Sequence, residues 1–151
     1  MPANTTPIFG LTPNIGTAVI PTTAALARSD GLGLIGSNLM FVLSAGAFGT
    51  FLQKVRFFSV GATPTTGNAT VLRAYIGTTY TPGVSTTQFN TTLIGELSVP
   101  AVPSANATNS SNFYDIPLNF AIPSGYEVFV SQHAVQATNQ YWQATVFASD
   151  Y

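Results

Sequence analysis

The chain has 151 residues, enough for one domain with a single large core and too short for two. It is 46% hydrophobic, with eleven Phe, six Tyr and one Trp, which excludes a disordered chain, and it has no Cys, which excludes disulfides and thiolate metal sites. Only nine residues ionise fully at pH 7 (Arg28, Asp30, Lys54, Arg56, Arg73, Glu96, Asp115, Glu127 and Asp150), or 6% against roughly 25% in an average soluble domain, with a net charge of −1. A free monomer keeps itself apart with surface charge, so much of this surface is expected to face other protein.

Residues 1–16 hold Pro2, Pro7 and Pro13 among isolated apolar residues. Proline lacks a backbone donor and keeps its predecessor extended, so this stretch is expected to be an N-terminal arm, with residues 17–151 forming the domain. Ile8, Phe9 and Leu11 are its candidate subunit contacts, in a groove of its own domain or of a neighbour. No basic residue precedes an apolar run, so no secretory signal is expected and synthesis is expected in the cytoplasm.

Beyond the arm, short apolar or alternating runs are separated by Gly, Pro, Asn and Thr clusters, the pattern of an all-β sandwich or barrel. Eight strands are predicted: Gly16 to Ile20, Asn38 to Leu43, Thr50 to Val60, Thr70 to Gly77, Thr92 to Val99, Tyr114 to Ile122, Tyr126 to His133 and Tyr141 to Ala148. Only Thr22 to Ala27 could form a helical turn. Gly31 to Gln53 is uncharged and long enough for a membrane span, but its five Gly and the turn-like Ser44-Ala45-Gly46-Ala47 favour a buried hairpin, so no membrane partner is expected. Ile116, Leu118, Phe120 and Ile122 share one face, and Pro117 on the other marks an edge or bulged strand. Pro123-Ser124-Gly125 predicts a tight hairpin among the last three strands, and Trp142, Ala144 and Val146 should point inward. Eight strands joined by long polar loops suit an antiparallel β-sandwich of the jelly-roll type.

Chemistry is sparse. One His and five scattered carboxylates leave no transition-metal site, although Asp30 or Asp115 could serve calcium. His133 falls on the strand face of Glu127, Phe129 and Ser131 and is read as a polar-face or interface histidine rather than a catalytic base. Glu96, Asp115 and Glu127 show no spacing that pairs them for glycoside hydrolysis. Lys54, Arg56 and Arg73 are too few for nucleic acid and are read as interface or internal ion pairs with Glu96 and Glu127. The five Asn-X-Ser/Thr tripeptides are read as chance occurrences in a Thr-rich chain. No cofactor and no enzymatic activity are expected. Tyr75, Tyr80, Tyr114 and Tyr141 would be the platform if the domain bound sugars.

The segments Ile8-Phe9-Gly10-Leu11-Thr12-Pro13-Asn14-Ile15-Gly16, Ala27-Arg28-Ser29-Asp30-Gly31, Ala45-Gly46-Ala47-Phe48-Gly49-Thr50, Thr70-Val71-Leu72-Arg73-Ala74-Tyr75-Ile76, Ile122-Pro123-Ser124-Gly125-Tyr126 and Ser149-Asp150-Tyr151 occur in that order. Together they resemble a family of small tailed-phage and prophage proteins. The resemblance implies a virion structural protein without catalytic residues, of the head decoration or cement type, on the outer surface of the capsid. Its implied partners are the major capsid protein and its own copies, as a homotrimer. A tail, neck or baseplate subunit, or a carbohydrate-binding module, are the alternatives.

Overall fold

Apolar residues alternate along most strands and bury one face of each, and the strands pair so that these faces meet in a main core between two sheets. The computed structural model describes residues 10–22, 33–34, 39–61, 67–78, 85–86, 90–101 and 113–151. Ten antiparallel strands run in order: β1 (Thr12–Ile20), β2 (Gly33–Leu34), β3 (Met40–Ser44), β4 (Thr50–Gly61), β5 (Thr70–Gly77), β6 (Ser85–Thr86), β7 (Thr91–Val99), β8 (Phe113–Ile122), β9 (Glu127–Gln132) and β10 (Gln140–Asp150). The first sheet has the order β1-β10-β4-β8, the second β3-β9-β5-β7, and β2 pairs with β6. The fold is the all-β sandwich expected. Its pairings nest, with β1 on β10, β3 on β9, β4 on β8 and β5 on β7. This is one long hairpin rolled up so that successive pairs fall in alternate sheets, which is jelly-roll order.

Between the sheets lie Ile20, Leu52, Val55, Phe57, Leu72, Val128, Val130, Trp142 and Val146, all buried. Each such side chain contributes roughly 1.5–3 kcal/mol when fully removed from water. Trp142, Ala144 and Val146 point inward as predicted, and Tyr114 meets the Trp142 indole edge-on at 5.7 Å between ring centres. Both open sides of the sandwich close on a glycine. A methyl group at Gly16 of β1 would overlap the Val42 carbonyl oxygen on β3, and one at Gly95 of β7 would overlap the Ile116 side chain on β8.

Several expectations are corrected. The arm does not extend to residue 16, because Thr12 to Gly16 are already in β1 in register with Asp150 to Val146; Pro13 fits because β1 is an edge strand. Pro123 to Tyr126 is a turn, closed by Tyr126 N–H donating to the Pro123 carbonyl at 3.3 Å, but it joins β8 of the first sheet to β9 of the second. The turn at 44–47 likewise carries the chain from β3 in one sheet to β4 in the other. Neither is a hairpin: the turn signals mark a reversal without fixing which sheet receives the next strand. Pro117 does lie on an edge strand, β8, beside a register shift opposite Leu52 and Lys54. Ile8, Phe9, Arg28, Asp30, Tyr80 and the helical turn beyond Thr22 lie outside the described residues. Among the described residues no helix is long and apolar enough to cross a membrane.

Candidate functional site

The residues that could do chemistry are held apart. Ser131 is buried, with its hydroxyl 3.2 Å from the Tyr75 hydroxyl. His133 is exposed just past β9, and Arg73 Nη1 lies 3.3 Å from its Nδ1. A guanidinium can only donate, so the imidazole presents its Nδ1 lone pair to Arg73. Asp115 lies in the first sheet, while Glu96 and Glu127 lie in the second with β5 between their strands, so the three carboxylates are not paired. Among the described residues no three His, Asp or Glu side chains gather as a metal site.

What the sandwich offers instead is two outer sheet faces. On the second sheet, Tyr75 and Phe129 have 0% of their surface exposed and form a second small core with Leu39, Phe41 and Leu93. Burial raises the Tyr75 hydroxyl's pKa. Beside this core Arg73 Nε donates to Glu96 Oε2 at 3.1 Å, one of the ion pairs expected. Glu127 has no ion-pair partner among the described residues. It sits at the start of β9 opposite Ser44 and Gly77, its Oε2 is buried with no hydrogen-bond partner among the described residues, and burial raises its pKa.

The outer face of the first sheet is open. Register places side chains across it in rows: Ile15, Phe147, Lys54 and Pro117; Thr17, Thr145, Arg56 and Asp115; Val19, Gln143, Phe58 and Phe113. Ile15 is 60% exposed, Val19 51% and Phe113 53%. Lys54 and Arg56 pair with Asp115, the acid the sequence reading did not assign to them: Arg56 Nε and Nη2 donate to its two oxygens at 2.7 and 2.8 Å, and Lys54 Nζ donates at 2.9 Å. The hydrogen bonds from Arg56, helped by Lys54, hold the Asp115 carboxyl at about 2 against the opposing effect of burial. Arg56 also lies 4.9 Å from the Phe113 ring centre, Lys54 5.4 Å from that of Phe147, and Phe58 stacks on Phe113 at 5.0 Å. The result is an apolar, aromatic surface with one charged knot, in which two cations share one carboxylate.

The sugar platform does not form as imagined, because Tyr75 is buried and Tyr114 packs on Trp142. Leu11, the one arm contact within the described residues, is 82% exposed, and its N–H donates to the Asp150 carbonyl at 2.7 Å.

A scan against protein-family models finds no match, and a search of curated proteins finds none either. Among solved structures, a chain described as "Cyanophage Pam1 capsid asymmetric unit" is similar over 100% of this chain and 100% of that chain, with 16% sequence identity and a TM-score of 0.41. A likeness this slight carries no functional inference.

Proposed function

We propose that this protein is a structural subunit of a phage virion, of the decoration or cement type, which stabilises the head by packing on major capsid subunits and on its own copies, and that it has no enzymatic activity. The observation that carries the reading is the outer face of the first sheet, where Ile15, Val19 and Phe113 stay more than half exposed around a single charged knot. An apolar patch of this kind, in a chain with so few charges, is what a binding surface needs and what a free monomer avoids. The resemblance of the ordered set of segments to small tailed-phage proteins supports the same reading. The pairing of Lys54 and Arg56 with Asp115, and of Arg73 with Glu96, leaves little positive charge for nucleic acid and weighs against it as a partner.

The test is sedimentation of the purified protein with DNA-filled heads that lack it, with tails as a parallel sample. Binding to heads at micromolar concentration, and greater head survival on heating once bound, is the expected result. Binding to tails alone would move the protein to the tail, and binding to neither would remove the virion reading.

A further inference from the structure

Resting on that reading, we infer that the outer face of the first sheet is the docking surface, and that its occupant is a different protein presenting a flat apolar surface with a carboxylate near its centre.

Charge complementarity argues for the carboxylate. Lys54 and Arg56 are both about one-third exposed and, among the described residues, share Asp115 alone, so the knot keeps one positive charge over. The aromatic rings of Phe113 and Phe147 flank these cations and would leave them poorly hydrated once a partner covered the face, so the surplus charge calls for an acid from the other side. Beside the knot a depression of about 280 Å³ between β1 and β10, lined by Thr17, Ala18, Val19, Gln143 and Thr145, has room for one polar side chain of the partner.

Size and symmetry argue against a second copy. Four strands about 4.8 Å apart and some 30 Å long give a face of roughly 600 Å², below the roughly 800 Å² per partner of a standard stable interface. Two copies face to face would also set the surplus cation of one against that of the other. A larger surface built of several subunits supplies what an isolated pair lacks, because further contacts around the face add to it.

The experiment compares the wild type with Ile15→Asp/Val19→Asp, Lys54→Glu, Asp115→Asn and, away from the face, Phe48→Asp, in sedimentation with heads or tails and in thermal melting. Ile15, Val19 and Phe48 are at least half exposed, so their variants should melt close to the wild type. The double variant and Lys54→Glu should each weaken particle binding at least about tenfold, Phe48→Asp should leave it unchanged, and Asp115→Asn, which frees both cations, should tighten it. Wild-type binding retained in the folded double variant would overturn the docking face while leaving the virion reading intact. Tighter binding by Lys54→Glu with weaker binding by Asp115→Asn would overturn the acidic partner. Self-association of the wild type that the double variant abolishes would make the occupant a second copy. A wild type that binds neither heads nor tails would overturn the inference together with the reading on which it rests.

Discussion

The two outer faces of this sandwich begin from similar material and end differently. Both carry aromatic side chains and a small ion-pair cluster, Tyr75, Phe129 and Arg73–Glu96 on one, Phe58, Phe113, Phe147 and Arg56–Asp115 on the other. On the second sheet the aromatics are fully buried within the single chain, whereas on the first they stay accessible. A buried outer face adds to the stability of the domain itself; an open one of the same composition stores apolar area that is released only when something binds. On the proposed function, the difference separates residues kept for folding from residues kept for assembly.

The comparison breaks most visibly at paired phenylalanines. Phe129→Ala should cost about 3–5 kcal/mol in denaturant unfolding, and Phe113→Ala about 1 kcal/mol or less; equal losses would mean that the first face is also core. The next effect is on the polar groups. Tyr75→Phe takes from the buried Ser131 hydroxyl its Tyr75 partner and should cost about 1–2 kcal/mol. Its counterpart on the open face, Arg56→Gln, should cost less, because both partners are a third exposed and screened by solvent.

That second variant also has a signature in acid. Asp115 is depressed in the folded state, so its contribution is complete above the ordinary carboxylate range and is lost as pH falls from near 4 toward 2. In Arg56→Gln an NMR titration should find the Asp115 carboxyl moved up toward its ordinary value, and the loss of stability over that window should shrink. The smallest effect has the opposite sign. Glu127 is raised by burial, so ionising it destabilises the fold as pH climbs above the ordinary carboxylate range. Glu127→Gln should therefore stabilise slightly at pH 7 and lose that advantage below about pH 4, as melting curves at the two pH values would show.

Strand positions were readable from the residues wherever a strand has one wet face. Ile116, Leu118, Phe120 and Ile122 alternate with polar or small residues, and Pro117 marks the strand as an edge, as found. Trp142 was placed by the same alternation. The second core was missed because Phe129 shares its face with Glu127, Ser131 and His133, which reads as polar; the available signal was the unbroken Val128-Phe129-Val130, suited to a strand buried on both sides. The partner of Lys54 and Arg56 was missed because register between β4 and β8, some sixty residues apart in the chain, is set by the packing of whole sheets rather than by local spacing. Pro13 concealed the start of β1, since a proline near a chain end looks the same in an arm and in an edge strand.

The rolled-hairpin connectivity also governs how the domain can be made. Strand β10 lies between β1 and β4, so the first sheet gains its middle only when the last of its strands is available. During synthesis β1 and β4 leave the ribosome long before β10, with unsatisfied edges and apolar faces that will later be core. Folding is therefore expected to wait until β10 has emerged and to be slow for its size, on the order of milliseconds to seconds, because every pairing except β5 with β7 waits on strands distant in sequence. Translation then delivers a pool of incomplete chains whose sheet edges can pair with one another, and dilution or chaperone capture during expression should matter more to the yield of folded protein than the stability of the finished sandwich.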